Sequence, residues 1–259
     1  MSGTSLLLMG LAGAWTALAA LSYTVGADIW YRGLGCGVIR EGPGAGEQLA
    51  LTFDDGPDPV WTARIASALE AFGARGTFFV LASGARRHPA VVRRLLEGGH
   101  EGALHGYDHR PLWLTGPRES CRRLFEAVAV LESILDGQRP RFFRPPWGHF
   151  NLAAARCARE LGLRLVLWSH APPDWRARTP AGELARHLRE ALRPGAIVDL
   201  HDAGPGDRPL VLAEVLPEAL QLGRSRGLRF VPLSQLLHDD GGAAPRRARP
   251  IRQGEATHT

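Results

Sequence analysis

Four short stretches of this 259-residue chain hold side chains that can do chemistry together. In chain order they are Thr52-Phe53-Asp54-Asp55-Gly56-Pro57, His105-Gly106-Tyr107-Asp108-His109, Arg144-Pro145-Pro146-Trp147-Gly148 and Leu200-His201-Asp202. They offer two adjacent carboxylates, two histidines four apart, one arginine and one late histidine. A carboxylate and two imidazoles are ligands for a divalent ion. A second carboxylate and a further histidine can take a proton from water and return one to a leaving amine. In this order the set points to metal-dependent hydrolysis of an amide or ester.

Each stretch alone also has an ordinary reading. Asp54 and Asp55 point in different directions on an extended chain, so one can ligate a metal while the other faces a substrate. Asp-Gly-Pro is equally common turn chemistry. His105 and His109 share a face if the chain turns helically after a strand, and both can then reach one ion; an isolated pair reads as surface or capping histidines. Prolines stiffen the loop around Arg144, and Gly148 permits an unusual backbone angle. Such a loop can hold a guanidinium against a carboxylate, or simply turn with the arginine solvated. Trp147 lines a sugar groove or packs. His201 fits a general acid tuned by a carboxylate, and Asp174-Trp175 can supply that carboxylate and an apolar wall.

The elements that must position these groups alternate. Short apolar runs fall at 49–53, 77–81, 102–105, 141–144, 163–168, 196–201 and 228–231, and helical patterns near 60–72, 88–98, 117–135, 151–161, 180–192 and 209–225. Asp58-Pro59 and Thr179-Pro180 each place a capping residue before a first-turn proline. The alternation predicts an α/β fold whose parallel strands can close into a barrel. Asp54, Asp55, His105, Arg144 and His201 then stand at the C-terminal ends of strands, where such barrels gather their active sites.

Residues 1–27 carry no charged side chain. As a helix rising about 1.5 Å per residue, 6–27 is long enough to cross a hydrocarbon core of about 30 Å. The expectation is an uncleaved membrane anchor with an extracytoplasmic catalytic domain; a secreted form is the alternative, since Ala17-Leu18-Ala19 resembles a cleavage site but no basic region precedes it. Arg32 and Arg40 follow the segment, which by the positive-inside rule points the opposite way. Residues 28–46 read as a linker, 47–238 as the catalytic domain and 239–259 as a disordered tail. The net charge is +5 and all 31 basic residues are arginine. No basic stripe interleaved with aromatics is present, which argues against a nucleic-acid partner. Cys36, Cys121 and Cys157 lack C-x-x-C spacing; Cys121 and Cys157, inside helical patterns, read as small core residues, and the odd count argues against a disulfide framework.

From about 49 to 236 the chain resembles the polysaccharide deacetylases of carbohydrate esterase family 4, which include nodulation-type chitooligosaccharide deacetylases. The four motifs, Asp174-Trp175, and the connecting Gly76-Thr77-Phe78-Phe79-Val80 and Gly99-His100-Glu101 carry the likeness. It implies a distorted (β/α) barrel with fewer than eight regular units. It also implies one divalent metal, zinc first with cobalt, manganese or nickel as alternatives, on Asp55, His105 and His109. Asp54 matches the catalytic base, Arg144 the residue that orients it and His201 the general acid, with Asp174 as its carboxylate. Pro145, Trp147, Trp175 and Leu200 match substrate-lining positions. Implied is removal of N-acetyl groups from N-acetylglucosamine-containing glycans such as peptidoglycan or chitin-like polymers. A deformylase or deacylase of a lipid-linked amino sugar, and an envelope-binding protein with a degenerate site, are the alternatives. Three positions depart from the family's usual text: Gly106 replaces Ser or Thr, Ala171 replaces an Asp, and Asp199 replaces a Leu.

Overall fold

The computed structural model describes residues 3–44, 46–135, 137–176, 178–206 and 208–237. Eight strands appear among them: β1 (Val38–Ile39), β2 (Gln48–Asp54), β3 (Thr77–Val80), β4 (Glu101–Leu104), β5 (Phe142–Phe143), β6 (Arg164–Val166), β7 (Ile197–His201) and β8 (Arg229–Phe230). The helices are α1 (Gly3–Leu21), α2 (Trp61–Ala71), α3 (Ala82–Arg87), α4 (Pro89–Glu97), α5 (Pro117–Ile134), α6 (Leu152–Glu160), α7 (Ala181–Ala191), α8 (Arg208–Ser225) and α9 (Leu233–Leu236). The strands order β1-β6-β5-β4-β3-β2-β7, with β8 paired to β2, and every ladder is parallel. Isolated bridges Glu41–Ala196 and His170–Val198 link residues just beyond β1 and β6 to β7, so the sheet curls toward closure. This curled parallel sheet with its helices is consistent with the distorted (β/α) barrel that the family resemblance implies.

Period-two alternation gives the sheet two different faces. Leu49, Leu51, Phe53, Phe78, Val80 and Leu104 join the core beneath the helices. Ala50, Phe79, Ala103, Phe142, Val166 and Ile197 form a separate inner cluster, packed with Val231, Leu233 and Leu236. The last turn is pinned there: the Leu233 N–H donates to Thr77 Oγ1 at 2.8 Å and the Ser234 N–H to Glu101 Oε2 at 3.1 Å. Thr77 and Glu101 begin their strands, so this plug fills the N-terminal mouth. Each fully buried Phe or Leu contributes roughly 1.5–3 kcal/mol, and the two layers make a rigid base. Toward the strands' C-terminal ends the inward positions turn polar, at Thr52, Asp54, Asp199 and His201.

The structure adds detail that the sequence pattern leaves out. Within 28–44 the chain takes part in the fold. The helical path of α1 continues through π-helical turns at Ser22–Gly26 and Ile29–Gly33, and Tyr31 is buried against Phe150, ring centroids 5.4 Å apart. β1 then extends the sheet beside β6. Cys121 and Cys157 are not separate core residues: α5 and α6 pack together, their Cα atoms lie 5.7 Å apart, and they form a disulfide that leaves Cys36 free. Thr179 does not cap α7; its hydroxyl donates to Pro173 O. Asp58 Oδ1 does receive the Val60 and Trp61 N–H groups at the start of α2, each at 2.8 Å. Among the described residues no helix is long and apolar enough to cross a membrane. The tail at 239–259 lies outside the described residues.

Candidate active site and metal centre

Asp54 is the last residue of β2, and Asp55 turns away in a left-handed conformation, φ 75°. That region is unusual for a side chain other than glycine and costs roughly 1–3 kcal/mol. It separates the two carboxylates. Asp202 supports the turn from below: its buried carboxylate accepts the Thr62 hydroxyl, and a Cβ added at Gly56 would stand 2.3 Å from Asp202 Oδ2. Burial pushes the Asp202 carboxyl up to about 7 against the pull of that hydroxyl.

Asp55 Oδ1 faces His109 Nε2 at 3.1 Å and His105 Nε2 at 3.4 Å. Potential ligand atoms of the three residues lie within 4.8 Å of one another. Asp55 Oδ1 is buried and lacks a well-directed hydrogen bond. Burial opposes its charge, yet the two imidazoles hold its carboxyl well below the usual range. One oxygen and two nitrogens converging on a common point fit a divalent cation. The segment carrying the histidines is not helical. Instead, His105 extends β4 by one position, bonding its N–H to Val80 O at 2.9 Å, and a bend returns His109 to it. Gly106 adopts φ 108°, a conformation that disfavours the family's usual Ser or Thr. The loop is steadied by backbone instead: Ala82 and Ser83 N–H groups donate to Gly106 O and Tyr107 O at 2.9 and 2.8 Å. Asp108 pairs with Arg123 and Arg110, not with this cluster.

Arg144 is wholly buried just past β5. Its Nη1 donates to Asp54 Oδ1 and Asp199 Oδ1, each at 2.8 Å, and to Thr52 Oγ1 at 2.9 Å; Nη2 donates to Leu167 O at 3.1 Å. The guanidinium lies 4.1 Å from the Phe79 ring centroid. Asp54 Oδ2 stands 3.6 Å from His105 Nδ1. Across the ladder, Asp54 pairs in register with His201. Asp174 Oδ1 lies 3.0 Å from His201 Nδ1, and Asp174 Oδ2 accepts the His201 N–H at 2.7 Å. This leaves Nε2 to meet a ligand. Burial alone would lower the His201 pKa, but Asp174, helped by Asp199 and Asp54, pushes it up to about 10.

The groove rim is mixed. Trp147 is 56% exposed with φ 63°, its ring 4.8 Å from that of His109, and Trp175 is 50% exposed. Gly148 holds φ 67° with Trp168 against its Cα: a Cβ there would lie 2.6 Å from the Trp168 ring. Pro145 is buried in this loop. Leu200 is fully buried in the core beneath the helices, because alternation on β7 turns it away from Asp199 and His201; it does not line the groove. The Asp199–Arg144 bond and the Asp202 support were not legible in the sequence, since both depend on the register of β7 against β2.

The family profile described as polysaccharide deacetylase matches residues 41–166. A peptidoglycan-N-acetylglucosamine deacetylase from Bacillus cereus is 35% identical over 212 residues, covering 77% of this chain and 92% of its own length. The chain belongs to the polysaccharide deacetylase family. A second polysaccharide deacetylase relative, the chitooligosaccharide deacetylase of Sinorhizobium fredii, is 34% identical and covers 66% of this chain and 78% of its own length. A solved peptidoglycan N-acetylglucosamine deacetylase superposes with a TM-score of 0.74 at 26% identity, covering 81% of this chain and 96% of that one. This polysaccharide deacetylase chain therefore matches both relatives and the solved structure over most of their lengths.

Proposed function

We propose that this chain is a metal-dependent hydrolase that removes N-acetyl groups from N-acetylglucosamine-containing glycans and releases acetate. The observation that carries the reading is the division of labour between neighbours. Asp55 converges with His105 and His109, while Asp54 is held by Arg144 and faces His201 across β2 and β7. A divalent ion on Asp55, His105 and His109, zinc first with cobalt, manganese or nickel as alternatives, would supply a Lewis acid for the amide oxygen and for water. Asp54 takes the proton of the attacking water, and Arg144 keeps that carboxylate aimed. Asp174 fixes the His201 ring through Nδ1 and favours its protonated form. His201 then gives a proton from Nε2 to the sugar amine as the C–N bond breaks. Trp147 and Trp175 offer exposed faces on which sugar rings stack.

The named relatives act on peptidoglycan and chitooligosaccharides, which supports a glycan substrate. The disulfide between Cys121 and Cys157 supports a domain outside the reducing cytoplasm. The uncharged N-terminal segment, with Leu11, Trp15, Leu18 and Leu21 exposed, supports membrane attachment. One observation favours a lipid-linked amino sugar as a second reading. Tyr23 donates to Thr115 O beside the start of α5, and Asp28 pairs with His149, next to the groove loop. Arg159 at the end of α6 meets Tyr31. The helical path thus runs down from the open face, and residues 3–21 extend beyond it, the side on which a membrane-held sugar would arrive. The test is acetate or formate release from peptidoglycan, N-acetylglucosamine oligomers and lipid-linked amino sugars. Release from the glycans supports the first reading, and turnover of the lipid-linked sugar alone replaces it with the second.

A further inference from the structure

The arginine that holds Asp54 has a second acidic partner. Asp199 lies opposite Thr52 in the β2–β7 register, its N–H donating to His170 O at 2.9 Å, and its side chain is 6% exposed. Asp54, Asp199 and Thr52 crowd one guanidinium nitrogen, Nη1, which carries two hydrogens. Nη2 is tied to Leu167 O, and the flat face rests on Phe79. Arg144 therefore cannot swing toward solvent, and its aim depends on two opposed side chains, Asp54 and Asp199. The leucine usual at position 199 in the family cannot make this bond.

We propose that Asp199 is a positioning residue for the reaction: it anchors Arg144 from the side away from the substrate and governs how much of the guanidinium's charge Asp54 receives. This rests on the deacetylase reading above. The charged groups facing Asp199 are Asp54 on β2, Arg144 past β5, His201 on the same strand and Asp174 from the turn after β6. Burial, with Asp54 adding to it and Arg144 and His201 opposing it, pushes the Asp199 carboxyl up to about 8. While Asp199 holds a proton, the charge of Arg144 serves Asp54; once Asp199 is ionised, its negative charge also helps His201 keep its proton.

The experiment measures kcat and KM on an N-acetylglucosamine oligomer from neutral to alkaline pH for the parent, Asp199→Asn and Asp199→Leu, with metal content by mass spectrometry. Asp199→Asn, which stays neutral throughout, is expected to lose activity at lower pH than the parent, because the charge that helps His201 keep its proton is gone. Asp199→Leu is expected to lower kcat roughly ten- to hundredfold, as for a lost hydrogen bond to a charged group. Its KM and metal content stay at parent values. In metal-free protein the infrared carbonyl band of neutral carboxylic acids should titrate above the usual carboxylate range in the parent and be smaller by one carboxyl in Asp199→Asn. An active parent whose Asp199→Leu variant keeps full kcat, or loses its metal, overturns the positioning role alone. An inactive parent overturns the deacetylase reading and this role together.

Discussion

Arg144 and Asp174 each bind one of the two side chains proposed as base and acid. Arg144 holds Asp54 Oδ1, and Asp174 holds His201 Nδ1. Asp54→Asn should therefore keep a full equivalent of metal and lose about 10²–10⁴-fold in turnover, the usual range for a general base. If that variant loses metal while Asp55→Asn retains it, the two aspartates have exchanged roles. His201 sets a second expectation. With its pKa pushed up to about 10, the imidazolium persists below that value, and the rate falls as pH rises through it. Asp174→Asn removes the leading charge that raises the pKa and should move this alkaline limb to lower pH; His201→Ala should erase it. A limb unchanged in His201→Ala would assign it to another group. The same sign holds for stability. The raised pKa contributes fully below the ordinary value of 6.5 and is lost as pH rises through about 10.

The long elements were legible because each carries a complete pattern. β2 and β7 are mostly apolar runs ending in polar residues, and α5 shows helical periodicity over its 18 residues. β1, with two residues, and α3, with six, carry too little pattern of their own and are defined by what they pack against. The bend from His105 to His109 was likewise hidden, since spacing alone does not separate a helical turn from a loop returning to the same point. The disulfide was illegible because it depends on α5 lying beside α6. It closes a separation of 36 residues, so replacing Cys121 and Cys157 with serine should cost about 3–4 kcal/mol by chain entropy. Chemical unfolding of the oxidised parent and the double variant measures this. Thiol labelling without reductant should reach Cys36 and spare the other two, and labelling of all three in folded protein would contradict the pairing.

At the scale of the whole molecule, the apolar plug at one mouth of the barrel and the polar residues at the other explain why the chemistry collects on a single face. Alternation and motif order made that face legible, including Asp54, Asp55, His105, His109, Arg144 and His201. The outward turn of Leu200 and the inward bond of Asp199 needed the actual register. Hydrolysis of an N-acetyl group is proposed to depend on one ion held by Asp55, His105 and His109. The most direct test strips the protein of metal, restores zinc or cobalt, and follows ion stoichiometry and acetate release from an N-acetylglucosamine oligomer in the same samples, for the parent and His105→Ala. One ion per chain should return with activity in the parent, and neither should return in His105→Ala. Full acetate release from rigorously metal-free protein would rule out that dependence.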